Sequence, residues 1–152
     1  MSEIKRTKDQ LKRAFEGKAW HGPSVCEVLA GVSAQQAAAH PIEGAHSIWE
    51  IALHIATWER VGRRRIEELA PIDVSDAEDW PEVGDTSDEA WTGALEDLRL
   101  NHEALREAVG RLDDAQLGDI VPGTVYSVYF LLHGVIQHDL YHAGQIALLK
   151  RT

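Results

Sequence analysis

The stretch SVYFLLHGVIQHDLYHAGQIALLK, residues 127–150, restricts the fold more than any other part of the chain. It predicts one long helix from Ser127 to Lys150. Taken at alternating spacings of four and three, Leu131, Val135, His138, His142, Gln145 and Leu149 fall on a single stripe, the face that a packed helix turns inward. His138 and His142 stand four residues apart, so they lie about 40° apart round the helix and one turn along it, with both imidazoles facing the same way. A buried neutral imidazole needs a partner for each ring nitrogen, and a divalent metal ion satisfies one on each ring at once. Two structural histidines, hydrogen-bonded to neighbouring helices, are the alternative. With eight histidines in 152 residues the pair alone does not decide. Asp139 points about 100° away from the pair and is expected at the surface or against a second helix.

A third ligand has to come from elsewhere, and residues 46–69, HSIWEIALHIATWERVGRRRIEEL, supply one. This segment predicts a helix whose inward stripe reads Ile51, His54, Trp58 and Val61, with His54 the only histidine on it. Ser47 and Glu50 fit a capping box, yet Glu50 also lies one turn before His54, where a carboxylate orients a ligand or moves protons. A further helix follows Thr86 and Glu89, which fit another capping box. Its stripe of Trp91, Leu95, Leu98, His102, Leu105, Val109 and Leu112 keeps heptad spacing, with His102 as a core histidine or a fourth inward candidate.

The opening helix is expected over residues 3–16, with Ile4, Leu11 and Phe15 on one side. Pro23 at a first-turn position, with Ser24, restarts a short helix toward Gly31, and Ser33 caps one more turn before Pro41. Residues 71–85 and 113–126, rich in proline, glycine and acidic residues, form two long connections. Four substantial helices and no strand pattern predict an all-α protein: a four-helix bundle with a crossover connection, forming one domain over residues 1–152.

Charge and cysteine content narrow the function. The net charge of −10 argues against a nucleic-acid partner, whose phosphates demand a basic surface. The basic cluster at Arg60, Arg63, Arg64 and Arg65 is interleaved with Glu59, Glu67 and Glu68, which predicts pairs from Glu59 to Arg63 and from Arg64 to Glu68 on a solvated face. Cys26, the single cysteine, sits in an apolar run and is expected to be buried and inert. The opening MSEIKRTKDQ lacks the apolar core of a signal peptide, and no apolar run nears the ~20 residues needed to span a bilayer, so the expected location is the cytoplasm with no membrane partner.

HSIWEIALHIATWE, together with QHDLYHAGQIALLK, resembles the DinB/YfiT-like superfamily, and FEGKAWHGPSVCEVLAGVSAQQAAAHPIEGAHSIWE resembles its opening segment. The family pattern of one histidine on the second helix and a His-x-x-x-His pair on the last falls here on His54, His138 and His142. The resemblance implies a homodimeric bundle with a crossed connection that holds one divalent transition metal ion (zinc, nickel, iron or manganese) in an open three-histidine site. It also implies a small-molecule substrate and, in some relatives, thiol-dependent transfer, in which a low-molecular-weight thiol joins an electrophile. Trp20, His21 and Tyr141 are candidate pocket residues on this reading. Two other functions stay open: a non-catalytic bundle that binds metal for structure or sensing, its site closed by a fourth ligand such as Glu50 or His102, and a metal-dependent hydrolase with Glu50 as its base.

Overall fold

The computed structural model describes residues 1–152 and is helical throughout, with only isolated bridges outside its helices. Four long helices carry it: α1 (Glu3–Phe15), α4 (Ile48–Glu67), α6 (Asp88–Gly110) and α7 (Val128–Leu149). Three short ones, α2 (Val25–Leu29), α3 (Ala34–Ala38) and α5 (Asp76–Asp79), and a 3-10 turn at Asp114–Gly118 occupy the connections. α4 packs against both α6 and α7, and α1 packs against the same two helices. No helix is long and apolar enough to cross a membrane.

The helix starts follow from hydroxyl caps. Ser24, Ser47 and Ser75 each accept a bond from the backbone N–H three residues on, while the carboxylates of Glu27, Glu50 and Glu78 accept from the cap's own N–H. The reciprocal pair expected at Thr86 and Glu89 does not form. Ser87, one residue later, adopts the extended cap conformation and accepts from the Ala90 N–H, which leaves Glu89 out of the reciprocal position. Pro23 likewise stands before the Ser24 cap instead of inside the first turn. Replacing Ser47, which is buried, with alanine leaves the Glu50 N–H without its acceptor at the start of α4. The expected cost is about 1 kcal/mol, read as a lower urea midpoint with unchanged slope.

The apolar residues divide into two clusters. One gathers Phe15, Trp49, Ile55, Trp91, Leu98 and Ile146, and the other Leu11, Leu105, Val109, Leu132, Val135 and Ile136. Close approach of α4 and α7 rests on Gly62, where a β-carbon would stand 3.2 Å from Val135 Cγ2.

One expectation about polar residues is overturned and another is narrowed. Glu59 is fully buried and bonds His102, so Arg63 turns to Glu67 (3.6 Å); the Arg64 to Glu68 pair forms at 2.7 Å. Asp139 takes the second of its two expected places: it is fully buried against Glu59 of α4 and His102 of α6. Cys26 departs in the opposite sense. The residue is exposed on α2, and partial desolvation together with the Glu16, Glu59 and Glu27 carboxylates pushes its thiol up to about 11, so it remains a protonated, weak nucleophile.

Candidate metal centre

α4 and α7 bring His54, His138 and His142 to one point. His138 Nε2 lies 2.9 Å from His54 Nε2 and 3.1 Å from His142 Nε2. The bonds on the far side of two rings fix their protons: His54 Nδ1 donates to the Asp79 carbonyl oxygen at 2.6 Å, and His142 Nδ1 donates to Gln145 Oε1 at 2.6 Å. A neutral ring that donates through Nδ1 has only a lone pair at Nε2. His54 and His142 therefore both aim lone pairs at His138 Nε2, which carries at most one proton and can satisfy only one of them. A cation among the three nitrogens satisfies all of them, and the group can hold a metal ion.

Electrostatics favours the same species. Burial depresses His138 to about 3, with the neighbouring His142 and His54 adding to it, and burial is also the main cause that lowers His54 and His142. All three rings are neutral near pH 7, the form in which imidazole binds a metal.

The surroundings of His54 come from α5, within the acidic connection. Asp79 sets the tautomer through its backbone carbonyl, places its carboxylate 3.2 Å from the same Nδ1, and accepts from Trp58 Nε1 at 2.6 Å. Trp80 stacks on His54 with ring centroids 3.8 Å apart and planes within 5°, and it stacks on His46 as well. Nothing in the periodicity of the chain points to Asp79 or Trp80. The available signal was Ser75 and Glu78, a capping box that starts one helical turn inside an otherwise breaker-rich loop.

Glu50 does not orient His54. Its carboxylate accepts from the Ser47 N–H at 2.6 Å and from His40 Nε2 at 2.9 Å, and Asp79 fills the role expected of it. His102 is absent from this site as well: it lies in the core, stacked on Phe15 and hydrogen-bonded to Glu59. Trp20 and His21 are exposed in the turn after α1 and line neither cavity beside the histidines, so the pocket expected of them does not form there. Tyr141 stands edge-on to His142, 5.1 Å between centroids.

Two cavities flank the cluster. One of about 420 Å³ opens on His142 between Trp80, Tyr141, Ile51 and Leu148. The other, about 360 Å³, opens on His138 between Trp58, Tyr126, Phe130 and Arg65. Arg65 donates to the Tyr126 hydroxyl and the Ile72 carbonyl and lies 5.5 Å over the Trp58 ring. A third cavity, about 400 Å³ at the end of α1, is lined by charged side chains and Gly17 and lies apart from this chemistry.

Comparison with curated proteins and with solved structures returns no match. The family model described as the DinB superfamily matches residues 24–146, a span that contains all three converging histidines and both elements that position them. The chain belongs to the DinB superfamily.

Proposed function

We propose that this protein is a metal-dependent enzyme that uses His54, His138 and His142 to hold one divalent ion and acts on a small molecule bound beside it, a low-molecular-weight thiol being the favoured nucleophile. The observation that carries the reading is the convergence of three imidazoles with no fourth side chain completing the set. Glu50 and His102, the residues a closed structural site would have recruited, are engaged elsewhere. A divalent ion there supplies a Lewis acid that lowers the pKa of a thiol or water entering the site. Asp79 and Gln145 hold the outer nitrogens of two rings and fix which nitrogen faces inward, while Trp80 covers one face of His54. Trp58 and Phe130 on the His138 side, and Tyr141 on the His142 side, offer apolar walls to a bound substrate. The hydrolytic reading is weaker, because the carboxylate it needs as a base, Glu50, is held by Ser47 and His40. A crossed connection between the long helices and assembly as a homodimer belong to the same proposal. The first is supported by the packing of both α1 and α4 on α6 and α7, the second by the exposed Tyr129 and Phe130.

The test is optical. Cobalt-loaded protein is titrated with 2-mercaptoethanol, and the expected result is a new sulfur-to-cobalt charge-transfer band that is absent in His142→Ala. A cobalt spectrum indifferent to the thiol rejects thiol activation.

A further inference from the structure

A second group of three side chains lies outside the histidine site, in the deepest part of the molecule. Glu59 on α4, His102 on α6 and Asp139 on α7 are each at most 1% exposed, and each offers a ligand atom within 4.8 Å of the other two. The helices put them at one level. Along α6, His102 falls between Leu98 of one apolar cluster and Leu105 of the other; along α7, Asp139 falls between Ile136 and Ala143 in the same way. Three helices thus each interrupt an apolar row at the seam between the two halves of the core.

Their polar atoms are not satisfied by the protein. His102 Nδ1 lies 2.8 Å from Glu59 Oε1, while His102 Nε2, Glu59 Oε2 and both carboxyl oxygens of Asp139 meet no N–H or hydroxyl donor, the two carboxyls facing only each other. Two carboxylates turned toward each other away from water repel, and uncompensated buried charge of that kind costs several kcal/mol per ion. Either the carboxyls hold protons or a metal cation takes the place of those protons. A divalent cation cancels two carboxylates in full while leaving the imidazole neutral, and it accepts lone pairs from three different helices.

We propose that Glu59, His102 and Asp139 form a second metal site, which holds a divalent first-row cation as an internal clasp between α4, α6 and α7. Two carboxylates and one imidazole make a harder donor set than three imidazoles, so this site takes manganese(II) or iron(II) more readily than the histidine site does. Coordination at ordinary metal–ligand lengths sets donor atoms roughly 3 Å apart, within reach of side-chain rotation from the separations present. The site has no exposed face, so its role is to fasten the helices, and its ion enters as the chain folds.

The two metal sites can be counted separately. Full-length protein is refolded from denaturant in manganese(II), freed of loosely held ion by gel filtration and examined by elemental analysis. Wild type, His54→Ala, Asp139→Asn and Glu59→Gln are compared. The expected result is one occluded manganese in wild type and in His54→Ala, with no enhancement of water-proton relaxation, and its loss from Asp139→Asn and Glu59→Gln. Circular dichroism establishes folding for each variant. If either carboxylate variant fails to fold, His54→Ala decides alone: an occluded ion retained there supports the clasp. A refolded His54→Ala protein with no manganese overturns it, as does an ion count that the carboxylate variants leave unchanged. Failure of the three-histidine reading has a different signature, since it leaves this occluded ion in place.

Discussion

Replacing His138 with alanine is expected to weaken binding of the metal ion that titrates in from solution by at least 100-fold, while the protein remains helical. His138 Nε2 is the atom common to both short contacts in the cluster, 2.9 Å and 3.1 Å. Loss of an outer partner of a ligand costs about 10–100-fold in affinity, and loss of the ligand itself costs more. The fold should tolerate the change. In the metal-free protein the His138 ring is a liability: it is largely withdrawn from water, its Nδ1 is buried without a partner, and it is depressed to about 3. Removing it relieves that burial cost while deleting modest packing, so metal-free stability should change by no more than about 1 kcal/mol. Isothermal titration with zinc, paired with thermal unfolding in chelator, reads both quantities. Unchanged zinc affinity in the variant would remove His138 from the ligand set, and a collapse of metal-free stability would make it a core residue instead.

The long helices and the ligand stripe were legible because a helix repeats: an inward position is fixed by its spacing from other inward positions, whatever the rest of the chain does. Leu131, Val135, His142 and Leu149 are all buried on the predicted face of α7. The same logic left Asp139 between the surface and a second helix. In a helix packed on both α4 and α1, burial extends beyond one stripe, and a single inward face underestimates it. Glu59 escaped for a related reason, since an i, i+4 partner of opposite charge at Arg63 made solvent the cheaper assignment, whereas the structure places its carboxylate opposite His102. Asp79 and Trp80 depend on how a loop folds back over α4, and no local period records a contact between residues 25 apart. Glu50 shows the converse: the cap was readable from four residues, and the cap is what formed.

The buried carboxyls give the metal-free protein an unusual response to pH: stability should peak near pH 6.5 and fall by roughly 2 kcal/mol by pH 8, at about 1.4 kcal/mol per unit for each group concerned. Burial raises Glu59 from its ordinary 4.5 to about 8, with the Asp139 carboxyl beside it acting in the opposite sense. Between those values the folded chain keeps a proton that the unfolded chain has released, so stability falls as pH rises. Asp139, raised well above 3.8, again mainly by burial, works in the same direction. The histidines run the other way. Burial lowers His102 to about 4 and His138 to about 3, and lowers His54 and His142, so below 6.5 the unfolded chain binds protons that the folded chain refuses, and stability falls as pH drops. Four imidazoles outweigh two carboxyls below 6.5. Above it the unfolded imidazoles give up their remaining protons, which offsets about half of the two carboxyl arms, and the net fall continues until Glu59 ionises. Urea unfolding at pH 5.5, 6.5 and 8, on protein refolded in chelator, should show the maximum. Glu59→Gln should reduce the fall on the alkaline side and steepen the acid side, where Glu59 no longer opposes the histidines, while an ion bound among Glu59, His102 and Asp139 should reduce the alkaline fall too, because it replaces the protons. Stability that rises from pH 6.5 to 8 would mean that both carboxyls are ionised in the folded, metal-free core, and the assignment of protons to them would be wrong.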